Sequence, residues 1–256
     1  MFRGAIFDVD GVLVDSPHER AWRDSLDELM DGDWRDLRDR TTWTPGAFTT
    51  LVYQTYVSGK PRLAGALAAL EHFGVPDLAA RAQEYADRKQ EMIVRLIDAG
   101  EFTAFPDALR FIVAVRDAGL ATAAASSSKN ADRFLAKVRM DDVHPDLAGK
   151  TLLDLFDVDV SGRDFAHGKP DPEMFLTAAR ELGVEPAHAI VLEDAPAGIQ
   201  AAEAGEMASI AVARRPHDAE LLEGAGADLV VATLDDVDVD ALRAGRLRAR
   251  PPTNSA

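Results

Sequence analysis

Cysteine is absent from the 256 residues, which excludes disulfides and thiolate metal sites. Basic residues are scarce: 28 Lys and Arg stand against 44 Asp and Glu, and the formal net charge of −16 argues against nucleic-acid or anionic-membrane partners. No apolar run approaches the ~18 residues of a membrane span, and the N-terminus lacks the pattern of a signal peptide. We therefore expect a cytoplasmic protein.

Short apolar runs rich in Val, Ile and Ala are present in place of long ones. They show no polar alternation, which is typical of strands that are buried on both faces. The predicted strands are GAIFDV at 4–9, LATAAAS at 120–126, LFDVDVS at 155–161, AIVLED at 189–194, ASIAVA at 208–213 and DLVVATL at 228–234.

Helical patterns with clear start and stop residues lie between these runs. One begins near Pro106 and stops at Gly119; a second has Asp171 as N-cap, Pro172 at the first helical position and Gly183 at its end. PAGIQAAEAG from 196 is a third. The alternation of strand and helix predicts an α/β fold with a Rossmann-like, doubly wound parallel sheet.

The segment 15–103 breaks this alternation, because its patterns are those of amphipathic helices. It is far too long for a loop between a strand and a helix, so we predict a small α-helical cap domain inserted after the first strand. The core domain would then comprise 1–14 and 104–240. The basic, then Pro- and Ser-containing segment 241–256 is predicted to be a flexible tail.

Polar side chains lie at or just beyond the carboxyl ends of four of the predicted strands, where ligands of doubly wound sheets bind. Carboxylates suit a hard cation, whereas hydroxyl and ammonium groups suit phosphate oxygens, so the set favours a phosphoryl group with Mg²⁺. Taken singly, each group has a plainer interpretation: an acidic turn, a helix cap or a solvated lysine. The set comprises Asp8 and Asp10, the run Ser126 to Asn130, Lys169, and Glu193 with Asp194.

The motifs DVDGV, SSSKN, GKPDPE and LEDAPAGIQAA, in this order, resemble the haloacid dehalogenase superfamily of phosphotransferases over nearly the whole chain. The resemblance implies a cap domain, Mg²⁺ and an aspartyl-phosphate intermediate. It assigns Asp8 as nucleophile and Asp10 as general acid/base. It assigns Ser126, Ser127 and Lys169 to the phosphate, and Asp8, the backbone carbonyl of Asp10, Glu193 and Asp194 to the metal.

Within that superfamily, the inserted region resembles the beta-phosphoglucomutase group. HERAW, VSGKPRLAG and DRKQEMI are similar to cap segments of that group, and Gln90 would lie near the sugar. The resemblance implies a small phosphorylated sugar as substrate, and we expect a monomer. The implied substrate-binding residues are His18, Lys60, Arg62 and Lys89 of the cap, with Ser128, Lys129 and Asn130 of the core.

The resemblance implies, in its most specific form, a mutase that converts beta-glucose 1-phosphate to glucose 6-phosphate, and two alternatives to a mutase remain open. Only Ser16 and Pro17 separate Asp15 from His18, which is shorter than in the mutases, and VDSP resembles the start of the phosphatases. A pocket shifted in this way would admit water and make the protein a sugar-phosphate phosphatase. The remote alternative is a non-catalytic phosphosugar-binding module, although such modules usually lose the nucleophile or the metal carboxylates.

Overall fold

A computed structural model describes residues 1–58, 60–215 and 217–251. The chain divides into two compact units, of which the first contains Met1–Ser16 and the chain from Thr103 onward, and the second contains Pro17–Phe102. The sequence predicts limits of 15 and 103 for the inserted segment.

All of the described strands lie in the first unit, whereas the second unit is helical. The strands are β1 Gly4–Phe7, β2 Val14–Asp15, β3 Thr103–Ala104, β4 Ala121–Ala124, β5 Val158–Asp159, β6 Ala189–Glu193, β7 Ala208–Val212 and β8 Leu229–Val231. The α-helices are α1 His18–Asp31, α2 Thr50–Val52, α3 Arg62–His72, α4 Leu78–Asp98, α5 Pro106–Asp117, α6 Ala131–Lys137, α7 Glu173–Leu182, α8 Pro196–Ala204, α9 Asp218–Gly224 and α10 Val239–Arg243.

The first unit is built on a parallel sheet whose described strands have the order β5-β4-β1-β6-β7-β8. All residues of β1 are buried, and the strand pairs with β4 on one side and β6 on the other. The chain therefore reverses its direction of winding at β1, and a crevice forms beyond the carboxyl ends of the strands at that point. Each predicted strand overlaps a strand of this sheet, and the predicted α/β fold class is confirmed.

A buried cluster on one face of the sheet explains why the flanking helices form where they do. Phe175 and Ala178 of α7 pack with Ile6 of β1, Val191 of β6 and Ala202 of α8. Their spacing along the chain places the apolar side chains of α7 on one face, which buries them against the sheet. This packing fixes the N-terminal ends of α7 and α8 at the carboxyl edge of the sheet.

A second, two-stranded sheet was not predicted from the sequence. Val14 of β2 pairs with Ala104 of β3, and Asp15 pairs with Thr103, in antiparallel register. Two-residue strands carry too little hydrophobic periodicity to be recognised. The ribbon joins the two segments of the first unit that lead into and out of the inserted helices.

The second unit is helical, and its three long helices α1, α3 and α4 lie within the segment 15–103, in which the sequence shows amphipathic helical patterns. Its core includes Trp22 and Leu26 from α1, Leu70 from α3 and Tyr85 from α4. The Tyr85 hydroxyl donates a hydrogen bond to the Trp22 carbonyl at 2.7 Å, which satisfies the buried phenol. This unit therefore has a hydrophobic core of its own.

Two local predictions for the first unit were wrong. The flexible tail predicted from 241 is ordered through 251: α10 covers Val239–Arg243, and Ala249 forms an antiparallel bridge with Val237. Residues 252–256 lie outside the described residues. Helix α7 begins at Glu173, with Pro172 rather than Asp171 as N-cap, although Asp171 Oδ1 accepts the Glu173 N–H at 2.9 Å.

In the ranges 1–58, 60–215 and 217–251, no helix combines the length and the apolar character needed to cross a membrane.

Candidate active site

A lysine and two acidic side chains from distant parts of the chain meet at the carboxyl edge of the sheet. The Lys169 ammonium donates to Asp8 Oδ1 at 2.6 Å and to Glu193 Oε1 at 2.5 Å. Asp8 follows β1, Glu193 ends β6, and Lys169 precedes α7. Three elements at the crevice, β1, β6 and α7, thus each contribute one charged side chain. The Lys169 ammonium also lies 4.8 Å from the centroid of the buried Phe175 ring, which limits its freedom to move.

Negative charge is concentrated around this lysine. Carboxylate oxygens of Asp8, Glu193 and Asp194 all lie within 4.8 Å of one another. Burial, which outweighs the attraction of Lys169, raises the pKa of Asp8 well above its ordinary value. Burial and then the neighbouring Glu193 raise the pKa of Asp194 to about 8. Such crowding is costly unless a proton or a cation lies between the groups.

Burial lowers the pKa of Lys169, but Asp8 and Glu193 more than offset this and raise it above its ordinary value. The lysine therefore stays protonated at neutral pH. It supplies a fixed positive charge beside the Asp8 carboxylate.

Two glycines make room for the acidic side chains. Gly11 has φ +86°, and a Cβ atom at this position would lie 1.9 Å from Asp194 Oδ2. A Cβ atom at Gly198, inside α8, would lie 2.0 Å from Glu193 Cδ. Residues with a side chain cannot occupy either position without displacing a carboxylate, so both glycines shape the acidic cluster.

Asp10 and Ser126 extend the site toward β4. The Ser126 hydroxyl is buried and lies 3.5 Å from Asp10 Oδ2. Val9, between the two aspartates, is fully buried in the core, so the predicted alternation of side chains along DVD is present. Asp8, Asp10 and Ser126 are thereby brought to one end of the sheet, as the motif pattern predicts.

The loop after Ser126 is held by its own hydroxyl groups. Ser126 Oγ accepts the Ser128 N–H at 3.1 Å, and Ser128 Oγ accepts the Asn130 N–H at 3.3 Å. Asn130 is buried and Ser127 is exposed. Lys129 is exposed and pairs with Asp164 at 2.6 Å, so its ammonium is directed to that carboxylate.

Asp194 precedes the predicted helix PAGIQAAEAG and could be interpreted as its N-cap, but this interpretation is wrong. The N-cap of α8 is Ala195, and the N–H groups of Asp194 and Ala195 donate to Glu193 Oε2 at 3.0 and 3.2 Å. Glu193 therefore holds the start of α8 with one oxygen and Lys169 with the other. The Asp194 carboxylate is left for another role in the cluster.

The cluster fits Mg²⁺ by the chemistry of its donors. Hard divalent cations take carboxylate and carbonyl oxygens, and Asp8, Glu193 and Asp194 supply three carboxylates at close range. The space that Gly11 and Gly198 leave open keeps these oxygens together. Asp8, Asp194 and Glu193 are thus the residues that could hold the ion, with the backbone carbonyl of Asp10 as a further predicted ligand.

The predicted cap residues form two contacts within the second unit. The buried Lys89 ammonium lies 3.1 Å from His18 Nδ1 and 5.2 Å from the centroid of the Trp22 ring. The exposed Arg62 donates from Nη1 to Gln90 Oε1 at 2.6 Å. These pairs join α1 to α4 and α3 to α4. Lys60 is exposed, one residue before the N-cap of α3.

Sequence reasoning missed the contributions of Phe175 and Gly198. Phe175 has the spacing of an ordinary core residue, so nothing in the pattern shows its contact with Lys169. Gly198 does leave a signal, because a glycine within a helix that it does not end costs about 1 kcal/mol relative to alanine and suggests close packing.

Comparison with known proteins finds relatives over nearly the whole chain. The family model "haloacid dehalogenase-like hydrolase" matches residues 2–205. A beta-phosphoglucomutase of Mycobacterium tuberculosis is 33% identical over 92% of this chain and 91% of its own length. The validoxylamine A 7'-phosphate phosphatase of Streptomyces hygroscopicus subsp. limoneus is 30% identical over 93% of this chain and 96% of its own. The solved beta-phosphoglucomutase of Pyrococcus sp. strain ST 04 is 28% identical, with a TM-score of 0.72 over 96% of this chain and 100% of its own.

The fold, the acidic cluster and these relatives define an enzyme of the phosphotransferase and phosphatase kind. The chain belongs to the haloacid dehalogenase superfamily and, within it, to the beta-phosphoglucomutase-like subfamily. Enzymes of this family generally use Mg²⁺, and the relatives include both phosphomutases and phosphatases.

Proposed function

We propose that this enzyme transfers the phosphoryl group of a sugar phosphate through an aspartyl phosphate on Asp8, with Mg²⁺. In its most specific form the reaction is the conversion of beta-glucose 1-phosphate to glucose 6-phosphate. The observation that carries the proposal is the position of the Lys169 ammonium between Asp8 Oδ1 and Glu193 Oε1, at 2.6 and 2.5 Å.

Each of four residues of the first unit has its own role in the proposed reaction. An Asp8 carboxylate oxygen attacks phosphorus, the bond from phosphorus to the sugar oxygen breaks, and Asp10 gives that oxygen a proton. Lys169 and the Ser126 hydroxyl neutralise and orient the phosphoryl oxygens. Mg²⁺, when bound, supplies further positive charge to the carboxylates and the phosphoryl group.

A mutase must return the phosphoryl group to a second hydroxyl of the sugar instead of passing it to water. Such a reaction needs a cation for the phosphate that is not being transferred, and we assign this role to the planar guanidinium of Arg62. We assign sugar binding to His18, Lys60, Lys89, Ser128, Lys129 and Asn130. Support comes from the Arg62–Gln90 hydrogen bond, which holds the guanidinium in one direction, and from the mutase relatives.

The second candidate function is a sugar-phosphate phosphatase. Two observations favour it: the phosphatase relative that is 30% identical over nearly its full length, and the short Ser16-Pro17 connection before His18. In this case water, activated by Asp10, attacks the aspartyl phosphate and releases inorganic phosphate.

One assay separates the two functions. The protein is incubated with Mg²⁺, beta-glucose 1-phosphate and a trace of beta-glucose 1,6-bisphosphate, and glucose 6-phosphate and inorganic phosphate are measured in parallel. A mutase forms glucose 6-phosphate in large excess over free phosphate. Free phosphate as the sole product would exclude the mutase and support the phosphatase. A panel of phosphorylated sugars would then identify the preferred ester. No turnover of any ester contradicts both functions.

A further inference from the structure

An arginine outside the predicted site is bonded to the turn that follows Asp10. Arg214, two residues beyond the end of β7, donates from Nη2 to the Val12 carbonyl at 3.0 Å and from Nε to the Gly11 carbonyl at 3.3 Å. Its guanidinium carbon lies 4.0 Å from the centroid of the Phe105 ring. The side chain is 16% exposed, so these contacts are largely shielded from water.

The same guanidinium is anchored on its other side by a buried carboxylate. Arg214 Nη1 donates to Asp107 Oδ2 at 2.7 Å, and that oxygen also accepts from the Thr233 hydroxyl at 2.9 Å and the Leu234 N–H at 2.8 Å. Asp107 lies in the first turn of α5, and Leu234 follows β8. The contact thus connects the turn after Asp10 to parts of the unit that are far away in the chain.

The Gly11–Val12 turn that Arg214 holds is tightly packed. Gly11 is adjacent to Asp10 in the chain and lies directly against Asp194, where even a Cβ atom would not fit. A displacement of the Gly11 and Val12 carbonyls would move the Asp10 peptide, and with it the direction of the Asp10 carboxylate. Catalytic groups misplaced by about 1 Å can lose on the order of 100-fold in rate.

The planar guanidinium suits this task better than any other side chain. Its separate N–H groups reach two carbonyls and one carboxylate at fixed angles, and its face packs on an aromatic ring. A lysine in the same place would keep the charge and could satisfy Asp107, but its single nitrogen cannot hold both carbonyls in the same geometry. The stacking on Phe105 would also be lost.

We infer that Arg214, held by Asp107, is a positioning residue that fixes the Gly11–Val12 turn and thereby aims Asp10 at the oxygen that leaves phosphorus. This inference rests on the phosphoryl-transfer chemistry proposed above, but applies equally to a mutase and a phosphatase. It concerns proton transfer from Asp10 and assigns no contact between Arg214 and substrate.

The test compares two esters that differ in their need for a proton. 4-Nitrophenolate leaves readily without protonation, whereas unsubstituted phenolate depends more on a general acid. kcat/KM is measured with saturating Mg²⁺ for 4-nitrophenyl phosphate and phenyl phosphate, in wild type and Arg214→Lys. Arg110→Met is the matched control, because Arg110 pairs with Asp235 in the same unit but both side chains are about half exposed. Thermal unfolding and circular dichroism verify that each variant is folded.

For Arg214→Lys we expect a loss on the order of tenfold for phenyl phosphate and less than about twofold for 4-nitrophenyl phosphate, since misaimed acid catalysis affects the poor leaving group most. Arg110→Met should change neither. Equal losses for both esters, or no loss, would overturn the inference while leaving the proposed function intact. A wild-type protein that acts on neither these esters nor any sugar phosphate would contradict the proposed function, and the inference with it.

A second variant serves if Arg214→Lys does not fold. Asp107→Asn keeps the size of the side chain but removes the charge that anchors the guanidinium, and it should show the same selective loss for phenyl phosphate. An Asp107→Asn protein that folds and keeps the wild-type ratio of the two kcat/KM values would overturn the inference.

Discussion

The Lys169 ammonium lies 2.6 Å from Asp8 Oδ1, although the two residues are 161 positions apart in the chain. The parallel sheet places the motifs DVDGV and GKPDPE, the first and third of the sequence, on one side of the acidic cluster. The Lys169 ammonium neutralises part of the negative charge of this cluster. Without it, burial would favour protonation of the carboxylates. Predictions for activity, stability and metal binding follow from this arrangement.

Asp8→Asn should abolish turnover of every phosphate ester, because an amide cannot form the acyl phosphate. Asp10→Asn should retain a trace, with a loss on the order of 10²- to 10⁴-fold, since it removes proton transfer and leaves the nucleophile. Release of inorganic phosphate from phenyl phosphate, whose leaving group depends on a general acid, measures both effects. Asp164→Asn, which alters an exposed aspartate of the same unit, is the control. Wild-type activity in Asp8→Asn would refute the aspartyl-phosphate mechanism.

Lys169→Met should destabilise the protein by about 3 kcal/mol, because it leaves buried carboxylates without their cation. Lys129→Met is a matched control: Lys129 also pairs with an aspartate at 2.6 Å, but its side chain is 60% exposed where that of Lys169 is 13% exposed. Lys129→Met should lower the free energy of unfolding by less than about 1 kcal/mol. Urea unfolding in EDTA gives both values, and equal losses in the two variants would show that burial is not the cause.

Gly198→Ala should weaken Mg²⁺ binding on the order of tenfold, because the added methyl group would displace the Glu193 carboxylate. Gly224→Ala is the control: Gly224 is also helical, but nothing lies within 4 Å of a Cβ atom there. That variant should keep its Mg²⁺ affinity and gain up to about 1 kcal/mol from helix propensity. Calorimetric titration with Mg²⁺ distinguishes the two, and unchanged affinity in Gly198→Ala would contradict the packing argument.

Mg²⁺ affinity should rise between about pH 6 and pH 9, because the ion must displace a proton from carboxylates such as Asp194. Burial, then Glu193, raises the pKa of Asp194 to about 8. An unfolded chain releases this proton near pH 4, so the metal-free protein should lose stability as the pH rises through the window between about 4 and 8. Thermal unfolding in EDTA across this range checks the sign, and Asp194→Asn should flatten the curve.

Arg62→Met should raise KM for beta-glucose 1,6-bisphosphate by about tenfold or more, since a charge-assisted hydrogen bond to phosphate is worth roughly 1.5–3 kcal/mol. Hydrolysis of 4-nitrophenyl phosphate, which has no second phosphate, should stay at the wild-type rate. Arg23→Met, which alters another arginine of the helical unit, is the control. An equal effect of Arg62→Met on both substrates would argue against the phosphate clamp.

The sheet and its polar edge could be predicted because both leave strong local signals. Buried parallel strands are continuous apolar runs, and the groups at their carboxyl ends stand out by charge, as Asp8 and Glu193 do. The resemblance of the motifs to a known superfamily then supplied the roles. Nothing comparable marks the ribbon of Val14–Asp15 and Thr103–Ala104, because its two-residue strands are too short for any periodicity.

Arg214 illustrates a second limit of the sequence. In ARRPHD it resembles a solvated loop arginine, and two of its partners are backbone carbonyls, which no residue pattern reveals. Asp107 could be predicted at a helix start, but its bonds to Thr233 and Leu234 depend on how α5 packs against the end of β8. The ordered segment 241–251 was missed for the same reason, since the bridge between Ala249 and Val237 depends on packing.

The antiparallel pairing of β2 with β3 makes the whole segment 16–102 the loop of a hairpin. Asp15 and Thr103 are already opposite each other, at the spacing that a two-residue Asn-Gly turn can close. The helical insert is therefore modular: it could be excised and replaced by such a turn, or exchanged for the insert of a relative, with the strand ends of the core left where they are.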